Sequence, residues 1–149
     1  MRVALSMLFV LLPVLAFAQV KRTNPPALSA PTGYTHIVEV SGPVKTIYIS
    51  GQIAYDKDGK VVGAGDMKAQ AEQVFKNLQV ALDAAGAKFS DVVKMNSYIT
   101  DMSKAQAVRD VRALYFKDVT PASTFVEVKG LVRPELMLEI EVIAAMPIR

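Results

Sequence analysis

The amino-acid sequence predicts an α+β fold in which two helices pack on one face of a mixed β-sheet. The candidate elements follow the order strand, strand, helix, strand, helix, strand, strand. The helices lie between strands at distances typical of βαβ units, whereas hairpin signals near both ends of the chain require antiparallel pairing. The last candidate strand alternates with a period of two, so its two faces differ in character.

The N-terminal residues have the composition of a secretory signal peptide. Arg2 supplies a positive charge, residues 3–15 form an apolar run, and Ala16-Phe17-Ala18 is a small-x-small cleavage pattern. The run is shorter than the roughly 20 apolar residues that a membrane span needs. We therefore predict that residues 1–18 are removed and that the mature protein is periplasmic or secreted, with no membrane attachment. An uncleaved N-terminal anchor is the alternative.

The remaining residues have the length of a single domain, with an extended segment at 19–31 and the folded domain at 32–149. The chain contains no cysteine, so stability must come from packing or oligomerisation rather than from disulfides. Outside the signal peptide, sixteen Lys and Arg residues stand against fourteen Asp and Glu residues, a balance that argues against a nucleic-acid partner. The single histidine and the lack of cysteine argue against zinc or iron, and we expect neither a metal nor another cofactor.

Two strands and a hairpin turn are predicted before the first helix. Residues Thr35–Val40 and Thr46–Ser50 are rich in β-branched and aromatic side chains. Asp56-Lys57-Asp58-Gly59 is a turn sequence of the Asp-Gly kind, and it should fold Val61-Val62 back as a short hairpin arm. A calcium loop is the alternative, but Met67 occupies the position where such a loop needs a bidentate glutamate.

Two amphipathic helices are predicted. Residues Met67–Ala85 carry apolar side chains at helical spacing, with Asp66 as the N-cap and Gly86 at the left-handed position past the C-terminus. The second helix should begin with the capping box Ser103-Lys104-Ala105-Gln106 and run to about Lys117. Its inward stripe is predicted to comprise Ala105, Val108, Val111, Arg112 and Tyr115.

Three further strands complete the predicted sheet, at Asp91–Thr100, Ser123–Val128 and Leu136–Ile143. The strand Asp91–Thr100 is predicted to carry Val93, Met95, Ser97 and Ile99 on one side. The helix-facing side of the last strand is predicted to carry Leu136, Leu138, Ile140 and Val142, and its opposite side Met137, Glu139, Glu141 and Ile143. Because an apolar-rich second face requires another layer, we expect a second copy of the chain to cover it.

Two carboxylates stand two residues apart on that second face. Glu139 and Glu141 are separated by about 6.5–7 Å along the strand. A carboxylate can transfer protons or activate water, especially where a dry setting raises its pKa. The alternative is a charged stripe at the rim of an interface.

The segment Ser50-Gly51 is a second candidate site. Glycine lets a ligand approach the backbone closely, and the glycine amide together with the serine hydroxyl can hold an oxyanion or a carboxylate. A bulge or a strand end is the alternative interpretation.

Several short motifs spread along the chain occur together in one known family. They are Gly33-Tyr34-Thr35-His36, Ser50-Gly51-Gln52-Ile53, Asn77-Leu78, Ala85-Gly86-Ala87, Asp91-Val92-Val93-Lys94, Pro121-Ala122-Ser123-Thr124 and Glu139-Ile140-Glu141. In this combination the chain resembles the Rid family (reactive intermediate deaminases, also called YjgF proteins) over residues 27–146.

The resemblance implies a chorismate-mutase-like α+β fold. It also implies a homotrimer whose sheets form a central barrel, with three small-molecule clefts between subunits. Active members of the family hydrolyse reactive enamines and imines to ketones and ammonia. Carried over by motif, the glutamate that handles water is Glu139, the cleft-lining pair is Ser50-Gly51, and the cleft tyrosine is Tyr34.

One position departs from the family pattern. Active members have an arginine after Pro-Ala that grips the substrate carboxylate, and this chain has Ser123 there. Losing a charge-assisted contact of that kind costs roughly 1.5–3 kcal/mol, which is about 10- to 150-fold in binding. Ser123 and Thr124 can each donate a neutral hydrogen bond, and Arg133 lies in the loop between the same two strands. We include all three among the candidate substrate-binding residues.

These observations support two functions of different classes. The first is a hydrolytic deaminase of imines or enamines that carry no carboxylate or whose carboxylate is held differently. The alternative is a trimer that binds a small metabolite without turnover, which the absent arginine favours. A third function, ribonuclease or translation inhibitor, is disfavoured by the export signal and the near-neutral charge.

Overall fold

The computed structural model describes residues 18–148, so the predicted signal peptide lies outside the described residues except for Ala18. The strands are β1 (Gln19–Thr23), β2 (Ile37–Ser41), β3 (Val44–Gln52), β4 (Val92–Ile99), β5 (Ala122–Glu127) and β6 (Leu138–Pro147). The helices are α1 (Met67–Ala85) and α2 (Ala105–Tyr115), and each is flanked on one side by a short 3-10 turn, at Phe89–Asp91 and Met102–Lys104. In this part of the chain, no helix combines the length and hydropathy that a bilayer crossing requires.

The principal sheet has four strands in the order β3-β6-β4-β5. Strand β6 pairs antiparallel with β3 and with β4, whereas β4 and β5 are parallel and are joined through α2. Both helices lie on one face of this sheet, since α1 packs on α2, β3 and β6. The predicted mixed sheet with two helices on one face is therefore confirmed.

The extended N-terminal segment begins with a strand that the sequence did not predict. Strand β1 pairs antiparallel with β2, from Gln19 opposite Ser41 to Thr23 opposite Ile37, in a separate two-stranded sheet. The Arg22 guanidinium donates to the carbonyls of Thr120 and Ser90 at 3.3 and 3.2 Å. These bonds hold β1 against the loops that precede β5 and β4.

Helix α1 matches its predicted limits because both ends are specified locally. The Asp66 carboxylate accepts a hydrogen bond from the Ala69 amide at 3.1 Å, as expected of an N-cap. Gly86 has φ 74°, the left-handed conformation that glycine adopts without strain. The predicted turn at residues 56–59 is also present, since Tyr55 and Val61 form an antiparallel bridge across it.

Helix α2 begins differently from the prediction. The capping box expected at Ser103 does not form, and α2 has no side-chain cap. Asp101 instead caps the preceding 3-10 turn, where its Oδ1 accepts from the Ser103 amide at 3.0 Å and from the Ser103 hydroxyl at 2.6 Å. Hydrogen bonds to a carboxylate are stronger than those to a hydroxyl, so the serine becomes a donor to Asp101. The helix also ends at Tyr115, two residues before the predicted Lys117.

The inward side of β4 differs from the predicted one at its start. Met95, Ser97 and Ile99 are buried as expected, but Val92 is buried in place of Val93. The register of β4 against β6 shifts between Val92 and Lys94, and this irregularity reverses the alternation.

The hydrophobic core lies between the helices and the sheet. The predicted helix-facing residues of the last strand, Leu136, Leu138, Ile140 and Val142, are all at most 2% exposed. Gln70 on α1 is fully buried, and its amide donates to the Glu135 carbonyl at 2.6 Å and accepts from the Met137 amide at 2.8 Å. These bonds fix the loop that leads into β6 and thereby set the position of the candidate residue Glu139.

Candidate functional site

Glu139 lies on the face of the sheet that points away from the helices, directly against Gly51. In the register of β6, Glu139 stands opposite Tyr98 of β4, and Gly51 belongs to β3 on the other side. A β-carbon added at Gly51 would overlap the Glu139 carboxylate and would stand 2.7 Å from its Cδ. Gly51 does not have a positive φ. Its missing side chain is therefore required by the approach of Glu139 rather than by backbone conformation.

The alternative interpretation of Ser50-Gly51 as a bulge also describes the structure. The pairing of β3 with β6 shifts register between Ile49 and Gln52, and Ser50 and Gly51 lie within that shift. Ser50 is exposed and lines a cavity of about 260 Å³ on the same face as Glu141. The bulge thus brings Ser50 to an accessible surface beside the carboxylates of β6.

The two carboxylates of β6 have different surroundings. Glu141 Oε1 accepts hydrogen bonds from Asn96 Nδ2 at 2.8 Å and from the Tyr98 hydroxyl at 3.0 Å. The bond that Tyr98 donates to Glu141 raises the pKa of Tyr98 above its ordinary value, with a smaller contribution from desolvation. No hydrogen bond within residues 18–148 uses the Glu139 carboxylate. Glu141 is therefore engaged in the sheet, whereas Glu139 is available to a ligand.

Ser123 points to the opposite face of the sheet from Glu139. In the parallel pairing of β4 and β5, Ser123 stands opposite Met95 and Phe125 opposite Ser97. Met95 and Ser97 are buried towards the helices, so Ser123 and Phe125 share the helix-facing side. Both line a cavity of about 670 Å³ that is bounded by α2 and the β4-β5 edge of the sheet.

Tyr34 enters this same cavity. The adjacent residue Thr35 is buried, and its amide donates to the Pro121 carbonyl at 3.0 Å. The Thr35 hydroxyl donates to the Thr120 carbonyl at 2.8 Å. These bonds tie the loop that carries Tyr34 to the residues that immediately precede β5, and they place Tyr34 and Ser123 in the wall of one cavity.

The remaining predicted binding residues lie elsewhere. Thr124 faces the Glu139 side of the sheet, where its hydroxyl accepts a hydrogen bond from Lys94 Nζ at 2.8 Å. Arg133 is exposed in the loop that follows β5 and pairs with Glu135 at 3.1 Å. That ion pair is the main reason why the pKa of Arg133 is raised, with a smaller contribution from the nearby Tyr55. Arg133 lines neither cavity, so the structure places it away from Ser123.

An arginine that the motifs did not single out occupies the larger cavity. Arg112 of α2 is half-buried there, and desolvation lowers its pKa to about 10. Its Nη2 atom is buried without a hydrogen-bond partner among the described residues. The guanidinium carbon lies 5.5 Å from the centre of the Phe116 ring. The sequence did carry a signal for it, because Arg112 falls in the predicted inward stripe of α2.

The candidate residues of one chain therefore form two half-sites. Glu139, Ser50, Gly51 and Thr124 lie on the face away from the helices, and Tyr34 and Ser123 lie on the helix face. Within residues 18–148, no group of three or more His, Cys, Asp or Glu side chains is arranged to hold a metal ion.

The mixed sheet with two helices on one face places the chain among the α+β proteins with the YjgF/L-PSP fold. The sequence model of the endoribonuclease L-PSP family matches residues 24–146. The chain belongs to this family, which is also called the Rid or YjgF family. The resemblance recognised in the sequence is thereby confirmed.

Curated relatives and solved structures agree with this assignment. A RutC family protein of Aquifex aeolicus is 39% identical over 123 residues, which cover 80% of this chain and 94% of the relative. A RutC family protein of Pyrococcus horikoshii is 40% identical over 99 residues, covering 66% and 77%. The crystal structure of the Rid family protein YyfB from Yersinia pestis, described as of unknown function, has a TM-score of 0.77 at 34% identity and covers 85% of this chain and 98% of its own.

Proposed function

We propose that this protein is a homotrimeric hydrolytic deaminase of reactive imine or enamine metabolites. The observation that carries the proposal is the position of Glu139, which is packed against Gly51 and free of hydrogen bonds from residues 18–148. A carboxylate in that state can accept a proton from a bound water. The other carboxylate of the strand, Glu141, is held by Asn96 and Tyr98.

The reaction requires only proton transfers and one water. Glu139 takes a proton from water as the water oxygen attacks the imine carbon, and the π electrons of the C=N bond pass to nitrogen. The protonated Glu139 then returns its proton to nitrogen, giving an amine leaving group. Glu139 then transfers the proton of the carbinolamine hydroxyl to the amine nitrogen as the C=O bond forms and the C–N bond breaks, and the products are a ketone and ammonia. Ser50 can orient the substrate or the water from the adjoining cavity.

A homotrimer would account for the separation of the two half-sites. Side chains on opposite faces of one sheet cannot contact one substrate, but a cleft between two copies can join Glu139 of one to Ser123 of the next. The outer face offers an apolar surface for such packing. Tyr48 is 77% exposed and stands opposite the half-buried Ile143 in the β3–β6 register. A stable monomer at micromolar concentration in light scattering would contradict this part of the proposal.

The catalytic role of Glu139 is tested by ammonia release from imines with and without a carboxylate, generated in the assay by an amino-acid oxidase and by an amine oxidase. We expect Glu139→Gln to lower the rate by about 10²-fold or more, the usual contribution of a general base. Glu141→Gln is the matched control on the same strand and face, and it should retain most of the rate. Equal rates for the wild type and Glu139→Gln, or no rate above buffer, would refute the deaminase.

Binding without turnover is the second candidate, and Ser123 at the position of the family arginine favours it. A thermal-shift screen against small acids and amines separates the two candidates. Ligand-dependent stabilisation without ammonia release would support a binding protein.

We also propose that the protein is exported. Cleavage after Ala18 would leave β1 intact, since that strand begins at Gln19. N-terminal sequencing of the protein from a periplasmic fraction should begin at Gln19. A sequence that begins at Met1 would contradict cleavage.

A further inference from the structure

The cavity beside Ser123 combines an apolar wall with a positive charge. Its volume is about 670 Å³, within the range of small-molecule sites. The apolar lining includes Phe75, Met95, Phe116, Phe125 and Ile140. Both charged residues in the lining are arginines of α2, Arg109 and Arg112, and none of the described lining residues is acidic.

Arg112 is the more informative of the two arginines. Its Nη2 atom is buried and lacks a hydrogen-bond partner within residues 18–148. A buried donor without a partner is costly, and a charged one more so. If the side chain served only to cover Phe116, an apolar residue would do so without that cost. The unpaired guanidinium in a cavity without acids therefore indicates an anionic partner.

The position of Arg112 suits a ligand that lies beside Ser123. Nη1 approaches the backbone of Gly33, since a β-carbon there would stand 3.6 Å away, and the next residue, Tyr34, lines the same cavity. Arg109 lies one helical turn earlier, with its guanidinium carbon 5.8 Å from the centre of the Phe125 ring. Because the Ser123 side chain is small, it leaves space in this cavity for a ligand, and a larger side chain would fill that space.

We propose that this cavity binds a small carboxylate with an apolar body, and that Arg112 forms the charge-assisted hydrogen bonds to the carboxylate. The arginine missing from β5 is thus replaced by one from α2. The binding step does not depend on turnover by Glu139. The identity of the substrate rests on the proposed function. If the bound carboxylate belongs to the substrate, the substrate is an imine or enamine derived from an apolar amino acid.

Benzoate and benzamide are the probes, because they share shape and apolar area but differ in charge. Isothermal titration calorimetry of the full mature protein should show benzoate binding at least tenfold more tightly than benzamide. Arg112→Gln should weaken benzoate by about 10- to 150-fold and leave benzamide nearly unchanged. Arg133→Gln is the matched control, because Arg133 is exposed and lines neither cavity. It should leave the affinity for benzoate unchanged.

Three outcomes would overturn the proposal. They are equal binding of benzoate and benzamide by the wild type, absence of benzoate binding, and loss of benzoate binding in Arg133→Gln but not in Arg112→Gln. If Arg112→Gln fails to fold, amide chemical-shift changes in the wild type decide the matter. Benzoate-specific changes should cluster at Tyr34, Ser123 and Phe125, and changes confined to other residues would refute the site. Failure of benzoate binding with ammonia release intact would refute this inference alone.

Discussion

The two faces of the principal sheet satisfy their polar groups in different ways. On the face away from the helices, neighbouring strands supply partners for one another, as Asn96 and Tyr98 do for Glu141 and as Lys94 does for Thr124. On the helix face, the cavity beside Ser123 holds the buried Nη2 of Arg112, which has no partner in the described chain.

The difference shows where each face needs something from outside the chain. On the outer face, the side chains without a partner in the described chain include the Glu139 carboxylate and the exposed ring of Tyr48. On the helix face, the proposed carboxylate ligand would supply the partner of Arg112, because a desolvated guanidinium is stabilised by a carboxylate more than by any neutral group. Under the two proposals, catalysis and recognition of the carboxylate lie on opposite faces of the sheet, and substitutions that act on one face only can test this division.

Among substitutions that leave the reacting groups in place, the largest effect is expected from Gly51→Ala on the outer face. The new methyl group would occupy the space of the Glu139 carboxylate and displace it from the position in which the proposed mechanism uses it. We expect ammonia release to fall roughly 10- to 100-fold, since general base catalysis contributes 10²–10⁴-fold. The free energy of unfolding should change by less than about 1 kcal/mol, because the end of a flexible side chain can move.

Gly130→Ala is the control for that substitution. A β-carbon at Gly130 would meet no atom within 4 Å, and Gly130 does not have a positive φ. Gly130→Ala should leave ammonia release intact, and neither substitution removes the contact with Arg112 that benzoate binding is proposed to require. Unchanged ammonia release in Gly51→Ala would show that the contact with Glu139 has no catalytic consequence.

A smaller effect is expected from moving the arginine back to β5. In the Arg112→Gln background, Ser123→Arg should restore benzoate affinity to within about tenfold of the wild type, since a charge-assisted bond is regained in the same cavity. Thr124→Arg in the same background is the matched control, because Thr124 points to the opposite face and its arginine should restore nothing. Equal rescue at both positions would contradict the assignment of faces.

The parts of the fold that are specified locally could be predicted from the sequence. The limits of α1 follow from Asp66 and Gly86, and the inward face of β6 follows from its alternation. Strand β1 was missed because its pairing with β2 joins segments that are distant in sequence. The burial of Val92 was missed for the same reason, since the irregularity in β4 depends on its partner strand.

The candidate site likewise combines residues that local motifs indicate with contacts that depend on strand pairing and packing. Motifs pointed to Gly51 and Glu139 separately, but their contact depends on the register of β3 against β6. The placement of Ser123 and Thr124 on opposite faces follows from the period of a strand. The cavity around Arg112 arises from the packing of α2 on β5, which no local pattern reports.

The smallest predicted effect concerns Tyr98 and alkaline pH. The hydrogen bond to Glu141 raises the pKa of Tyr98 in the folded protein above its value near 10 in the unfolded chain. Above that pH the unfolded chain loses the phenolic proton while the folded protein retains it, so the free energy of unfolding falls as pH rises. Tyr98→Phe should remove this part of the pH dependence, as measured by urea unfolding between about pH 8 and pH 11.

The control for Tyr98 is Tyr48→Phe, since the Tyr48 side chain is 77% exposed on the same face. Below about pH 9, Tyr98→Phe should also lower the free energy of unfolding, because the hydrogen bond to Glu141 is lost. Tyr48→Phe should not lower it. Benzoate binding should be unaffected by either substitution, because both phenols lie across the sheet from Arg112. Identical pH profiles for Tyr98→Phe and the wild type would mean that the Tyr98–Glu141 bond is too exposed to matter. The outer face would then be held together by its backbone pairing rather than by its side-chain bonds.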